Sequence, residues 1–102
     1  MQVATVQELK QILETNPSTH LLDVRELNER NEFNIGGHFI PLGKIANFET
    51  DEIADLQNEA LYVYCRSGMR SMQACMLLEQ AGFTNVINVN GGMLAWRDAF
   101  GQ

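Results

Sequence analysis

Three short apolar runs alternate with segments of helical character along this chain of 102 residues. The runs cover residues 21–24, 61–64 and 85–89, and each is typical of a buried strand in a parallel sheet. Strands that alternate with helices predict βαβ units with right-handed crossovers. The pattern therefore predicts an α/β fold, in which functional sites form beyond the carboxyl ends of the strands.

The segments around these strands carry the signals of helices. Thr5 is placed to cap a helix over residues 6–14, because Glu8 completes a capping box three residues later. A second helix should run from residue 70 or 71 to residue 81, with Gly82 at the C′ position of a Schellman motif. Shorter elements are expected as helices over residues 27–33, 51–56 and 93–99 and as a strand at residues 39–40.

Size, charge and hydropathy exclude several classes of protein. A chain of this length forms one core, so we expect a single domain over residues 1–102. A net charge of −6 argues against a nucleic-acid partner. No apolar stretch approaches the ~20 residues of a membrane span, and the N-terminus does not resemble a signal peptide. These features predict a cytoplasmic protein without a membrane partner.

The two cysteines, Cys65 and Cys75, form no CxxC pair, which excludes a zinc ribbon and a thioredoxin-type dithiol. We therefore expect free thiols in a reducing compartment. A lone cysteine after a strand is most often a buried apolar residue. The residues that follow Cys65 favour a nucleophile instead.

Cys65 opens a six-residue loop between a strand and a helix, which reads Cys65-Arg66-Ser67-Gly68-Met69-Arg70. Backbone N–H groups converge in such a loop and stabilise an anion or a thiolate. Gly68 permits a tight turn, and Arg66 and Arg70 can neutralise an oxyanion. Taken alone, the loop is compatible with sulfur chemistry or with phosphate chemistry at Cys65.

Four segments in order along the chain resemble the rhodanese family of sulfurtransferases. The loop with Ser71 is similar to the family's CRxGxR[ST] active-site pattern. Residues 22–26 (LDVRE), followed by Glu32-Phe33 and Gly37-His38, resemble its DVRE…E[YF]…GH segment. Residues 81–86 (AGFTNV) and 91–96 (GGMLAW) resemble its AGFxxV and GGxxxW motifs.

The resemblance implies a rhodanese-like fold, with a central parallel β-sheet of about five strands flanked by helices on both faces. It implies a sulfurtransferase that takes sulfane sulfur from thiosulfate or a persulfide donor onto Cys65 and passes it to cyanide, a thiol or a carrier protein. Donor binding would fall to the rest of the loop, Arg66, Ser67, Gly68, Met69 and Arg70. The expected partners are a small anionic donor and a sulfur-relay or carrier protein, with no metal or organic cofactor.

The length of the cysteine loop helps to distinguish sulfur transfer from phosphate chemistry. Phosphatases of this fold have the pattern Cys-x5-Arg, whereas Arg70 here is the sixth residue counted from Cys65. The comparison favours sulfur transfer over a rhodanese-fold phosphatase or arsenate reductase. A non-catalytic docking module is the other alternative, but degenerate domains commonly lose the cysteine. Residues 37–43 depart from the family's GHIPGA pattern by one extra residue and by Leu42.

Several other residues have competing interpretations. Asp23 and Arg25 are expected to form a structural ion pair rather than to contact substrate, and His38 is expected to fix a loop by a hydrogen bond rather than to act as a base. Core packing is the favoured role of three further side chains, Cys75, Met72 and Met76. For Cys75, the alternative is a role as a resolving thiol. Met69 is a candidate contact for the sulfur acceptor.

Overall fold

A five-stranded parallel β-sheet organises the protein, in a computed structural model that describes residues 1–101. The strands are β1 Gln2–Ala4, β2 His20–Asp23, β3 His38–Phe39, β4 Leu61–Tyr64 and β5 Val86–Val89. The helices are α1 Val6–Thr15, α2 Leu27–Glu32, α3 Leu42–Ala46, α4 Met69–Gln80 and α5 Gly92–Phe100, with a 3₁₀ helix at Asp51–Leu56.

The strand order is β1-β5-β4-β2-β3, and every neighbouring pair is parallel. The α/β fold with a parallel sheet of about five strands is therefore confirmed. β4 lies at the centre of the sheet, between β5 and β2. The loop that begins at Cys65 consequently leaves the sheet from its most enclosed strand.

Two apolar clusters cover the two faces of the sheet, because neighbouring strand residues point to opposite sides. One joins Leu22 and Val63 to the inner faces of α3 and α4, and the other joins Leu21 and Tyr64 to α1 and α5. Leu22 and Val63 of the first cluster and Tyr64 and Leu9 of the second are completely buried. The helices therefore hold the sheet from both sides and leave the carboxyl ends of its strands for the site.

The start of α1 and the end of α4 agree with the local signals. Thr5 and Glu8 form the reciprocal hydrogen bonds of the capping box at the start of α1. At the end of α4, Gly82 has a φ of +100°, and the N–H of Phe83 donates to the carbonyl of Leu78 at 3.0 Å. This is the predicted Schellman ending. The segment at residues 51–56 is helical as expected, but it is a 3₁₀ helix.

The sequence does not predict β1, and it places β3 one residue too late. β1 has three residues, of which two are exposed, so it lacks the apolar run of a buried strand. It is an edge strand, stabilised by its pairing with β5, where Val3 lies opposite Asn88. Pairing partners 85 positions away leave no local signal in the sequence.

Met72 and Met76 do not pack in the core, so this expectation is wrong. They are 40% and 52% exposed, because the buried face of α4 is formed by Ser71, Ala74, Cys75 and Leu78. No helix among residues 1–101 has the length and apolar character needed to cross a lipid bilayer.

Candidate active site

Cys65 follows the last residue of β4 at the carboxyl edge of the sheet and is completely buried. The next residues turn into α4, which begins at Met69 with Gly68 as its N-cap. Gly68 has a φ of +99°, a conformation that favours glycine. A Cβ at this position would also lie 3.1 Å from the backbone nitrogen of Gly91. Both constraints explain the glycine at the turn.

The thiol of Cys65 lies inside a cradle of hydrogen-bond donors. The N–H of Gly68 donates to Sγ at 3.1 Å and the N–H of Ser71 donates at 3.3 Å, while the Ser71 hydroxyl lies 3.4 Å from Sγ. Burial raises the pKa of Cys65, but hydrogen bonds from the Ser71 side chain and from the amides of Ser71, Gly68 and Ser67 outweigh it. The pKa of the Cys65 thiol is therefore held below its ordinary value.

The N-terminus of α5 holds the outer side of the loop. The N–H of Met93 donates to the carbonyl of Cys65 and that of Leu94 to the carbonyl of Arg66, both at 2.9 Å. Gly92 makes this approach possible, since a Cβ there would lie 2.5 Å from the Cys65 carbonyl oxygen. The GG segment of the sequence thus fixes the backbone of the loop.

The two loop arginines have different surroundings. Arg70 forms a bidentate ion pair with Glu29 of α2, with both N–O distances at 2.7 Å. The hydrogen bonds from Arg70 lower the pKa of Glu29 to about 2. Arg66 is exposed and has no ion-pair partner among residues 1–101. Its side chain borders a cavity of about 60 Å³ that is lined by Arg25, Glu29, Glu32, Phe33, Met93, Leu94 and Arg97.

The remaining loop side chains point away from the core. Ser67 and Met69 are exposed, and Met69 has 68% of its surface accessible. Of the six predicted site residues, the structure therefore brings Cys65 and the Gly68 amide together, and it places Arg66, Ser67 and Met69 at the surface. Arg70 lies between these groups, partly buried against Glu29.

Asp23 and Arg25 form the expected structural ion pair. Nε and Nη2 of Arg25 donate to the two carboxylate oxygens of Asp23 at 2.9 and 3.0 Å, and Nη2 also donates to the carbonyl of Phe33 at 2.6 Å. Arg30 adds a further contact to Asp23 at 3.3 Å. The pair thus ties the end of β2 to the segment that follows α2.

His38 and Cys75 take no visible part in the cradle. The backbone of His38 pairs with Leu22 in the sheet, and its side chain makes no hydrogen bond in the part of the chain that the structure describes. The expected loop-fixing bond of that side chain is therefore not found. Cys75 is completely buried, and burial raises the pKa of its thiol to about 12, in agreement with core packing.

Three polar residues of the site were not among the predicted site residues. Glu29 is one, and the others are Ser71 and Asn88, which lie buried behind the loop. The Ser71 hydroxyl donates to Oδ1 of Asn88, whose Nδ2 donates to the carbonyl of Gly68 at 3.2 Å. Ser71 stands at the [ST] position of the loop motif, which could have identified it. Asn88 lies in a buried strand and carries no such signal.

Among residues 1–101, no group of three or more histidine, cysteine or acidic side chains is arranged to hold a metal ion. The chemistry that the arrangement offers is that of a stabilised thiolate surrounded by N–H donors. A sequence comparison places this arrangement in a family. Residues 5–99 match the rhodanese-like domain. The chain belongs to the rhodanese-like domain family.

Known proteins with this domain resemble the chain along most of its length. It is 43% identical over 89 residues to the "Putative sulfurtransferase YtwF" of Bacillus subtilis, covering 86% of this chain and 82% of that one. It is 36% identical over 93 residues to the "Putative sulfur carrier protein YrkF" of the same organism, of which it spans 49%. A rhodanese-like domain protein from Staphylococcus aureus superposes with a TM-score of 0.80 at 32% identity, covering 94% of this chain and 91% of that one.

Proposed function

We propose that this rhodanese-like domain is a sulfurtransferase that carries sulfane sulfur as a persulfide on Cys65. The observation that supports the proposal most directly is the pair of loop amides, Gly68 and Ser71, directed at Sγ. Hydrogen bonds from N–H groups stabilise the thiolate, which is the nucleophilic form of cysteine. The sulfurtransferase name of the relative from Bacillus subtilis supports the same activity.

In the first step, the Cys65 thiolate attacks the outer sulfur of thiosulfate. A new S–S bond forms on Cys65, the S–S bond of thiosulfate breaks, and sulfite leaves with the electron pair. The negative charge moves to the outer sulfur of the persulfide, and the N–H groups of the loop would hold it there. Arg66 is exposed toward solvent and can contact the sulfonate of the donor, while Arg70 adds positive charge at the start of α4.

In the second step, an acceptor nucleophile attacks the terminal sulfur. Cyanide would form thiocyanate and release the Cys65 thiolate, so the cycle closes without oxidation or reduction from outside. A thiol or a carrier protein can take the place of cyanide. A protein acceptor is supported by the sulfur carrier name of the second relative and by the exposed Met69 beside the loop.

Free thiols at Cys65 and Cys75 suit a reducing compartment, and we place the activity in the cytoplasm. Because the chain spans about half of one relative and most of another, the proposal concerns the activity of this domain.

The decisive experiment measures thiocyanate formation from thiosulfate and cyanide by the wild type, Cys65→Ser and Cys75→Ala. We expect activity in the wild type and in Cys75→Ala, which is the matched control, and none in Cys65→Ser. Mass spectrometry after incubation with thiosulfate should show one added sulfur atom on the peptide that contains Cys65. Equal rates in the wild type and Cys65→Ser would refute the proposal.

The same proteins distinguish the rival activities. Cys65-dependent hydrolysis of an aryl phosphate, without persulfide formation, would favour a phosphatase. Absence of any persulfide after treatment with thiosulfate and with glutathione persulfide would favour a non-catalytic docking module.

A further inference from the structure

Behind the loop, the buried side chain of Asn88 makes hydrogen bonds to the two residues whose N–H groups donate to Sγ of Cys65. Asn88 lies in β5 and is 2% exposed. Its Nδ2 donates to the carbonyl of Gly68, and its Oδ1 accepts from the hydroxyl of Ser71. The N–H groups of the same two residues donate to Sγ of Cys65. One amide therefore touches both residues that hold the sulfur, without touching the sulfur itself.

We propose that Asn88 is a positioning residue for the Cys65 thiolate, which acts through Gly68 and Ser71. The proposal rests on the proposed role of Cys65 as the nucleophile. An amide has both a donor and an acceptor, and each is used here, so the side chain bridges Gly68 of the loop and Ser71 of α4, which lie three residues apart. Residues held in this way supply preorganised hydrogen bonds, which stabilise charge better than donors that must reorient.

The state of the Ser71 hydroxyl explains why an amide suits this position. The hydroxyl has one proton, which it donates to Asn88, and its oxygen can accept the S–H of the neutral thiol at 3.4 Å. When Cys65 is ionised, the hydroxyl can donate its single proton either to Sγ or to Oδ1 of Asn88, but not to both. Asn88 therefore holds Ser71 by its hydroxyl and Gly68 by its carbonyl, and the N–H groups of both residues stay directed at Sγ.

β5 carries no charged side chain that could itself affect the ionisation of Cys65, because Val86, Ile87, Asn88 and Val89 are uncharged. The titratable groups on α4 near Cys65 are Cys75 and Arg70, and Arg70 is paired with Glu29 of α2. On the loop itself, Arg66 is exposed, and α5 carries Arg97 and Asp98 beyond its first turn. Substitution of Asn88 leaves all of these charges in place.

The test is the pH dependence of Cys65 alkylation by iodoacetamide, followed by mass spectrometry of the Cys65 peptide. Asn88→Ala should raise the midpoint of the profile by about one pH unit and slow the reaction at pH 7 by up to about tenfold. The limiting rate above the midpoint should not fall below that of the wild type, because access to Sγ is unchanged and a thiolate of higher pKa is the stronger nucleophile. Asn88→Leu, which keeps the side-chain volume, should shift the midpoint in the same direction.

Asn34→Ala is the matched control. Its amide also makes two backbone contacts, as the donor to Arg30 at 3.0 Å and as the acceptor from Gly36 at 2.8 Å, but it lies outside the cradle. We expect its alkylation profile to coincide with that of the wild type. A folded Asn88→Ala or Asn88→Leu protein with the wild-type midpoint would overturn the proposal. Alkylation requires no sulfur donor, so this result is independent of the sulfur transfer assay.

Discussion

Glu29 and Arg70 meet in a bidentate ion pair that joins α2 to α4 across 41 positions of the chain, with both N–O distances at 2.7 Å. The pair fixes the last residue of the cysteine loop to a helix on the other side of the site. Arg70 is thereby part of the scaffold as well as a source of positive charge.

Glu29→Gln should lower the free energy of unfolding at pH 7 by about 1 kcal/mol, a modest figure because solvent screens both partly exposed side chains. The pKa of Glu29 is lowered to about 2 in the folded protein, so its stabilisation is present above the unfolded pKa near 4.3 and is lost as pH falls toward 2. Urea unfolding at pH 7 and at pH 2.5 measures the difference. The gap between wild type and variant should shrink at the lower pH.

A weaker pair on the same helix provides the control for this prediction. Glu32 is 72% exposed and lies 3.5 Å from Arg97. Glu32→Gln should change the free energy of unfolding by less than about 0.5 kcal/mol at either pH. Equal effects of the two substitutions would contradict a specific contribution of the Glu29–Arg70 pair.

Gly92→Ala should damage both stability and activity. Gly92 has a φ of +56°, and a Cβ there would lie 2.5 Å from the carbonyl oxygen of Cys65 and 2.6 Å from that of Arg66. We expect a loss of about 3 kcal/mol in urea unfolding and a large drop in sulfur transfer, since the loop backbone must move. Gly43→Ala, with nothing within 4 Å of its Cβ, should leave stability unchanged or improved. Wild-type activity in Gly92→Ala would disprove the contact.

Cys75 should be inert toward alkylation in the native protein. Both thiols are buried, but a pKa of about 12 keeps Cys75 protonated at neutral pH, whereas the hydrogen bonds to Sγ hold the pKa of Cys65 below its ordinary value. Iodoacetamide at pH 7 should therefore modify Cys65 alone, and Cys75 should react only after unfolding in urea. Peptide mass spectrometry separates the two sites. Modification of Cys75 at a rate similar to that of Cys65 would revive its role as a resolving thiol.

The exposed methionines of α4 should tolerate polar substitution. Met72→Gln and Met76→Gln place an amide where 40% and 52% of the residue is already in contact with water. The free energy of unfolding should change by less than about 0.5 kcal/mol in each variant. Leu78→Ala, on the buried face of the same helix, should cost about 2–5 kcal/mol and serves as the contrast. A loss of that size at Met76 would show that it packs after all.

The elements that the sequence predicts well are those with local signals. α1 begins at the Thr5–Glu8 capping box, and α4 ends at Gly82 with the hydrogen bonds of a Schellman motif. The buried strands β2, β4 and β5 are visible as apolar runs. Each signal lies within a few residues of the element that it specifies, so it can be read without knowledge of the partners.

The features of the candidate site also divide into those that the local sequence predicts and those that it does not. The loop composition predicts a thiolate surrounded by N–H groups, and the amides of Gly68 and Ser71 do lie beside Sγ. Neither the attachment of Arg70 to Glu29 nor the support from Asn88 follows from the sequence, because both join residues far apart in the chain. The exposed stripe of Met72 and Met76 is also unpredictable locally, since periodicity alone does not say which helix face meets the sheet.

Local sequence patterns were enough to specify the alternation of the three buried strands with helices, the cysteine at the carboxyl end of a strand and the glycine that permits the turn of its loop. These depend on backbone conformation and hydrophobic periodicity, which are properties of short segments. The packing of distant segments decided that Arg70 pairs with Glu29, that β4 is the central strand and that Asn88 lies behind the residues that donate to Sγ. Those outcomes depend on distances between segments, and the packing of β5, α2 and α5 around the loop sets them.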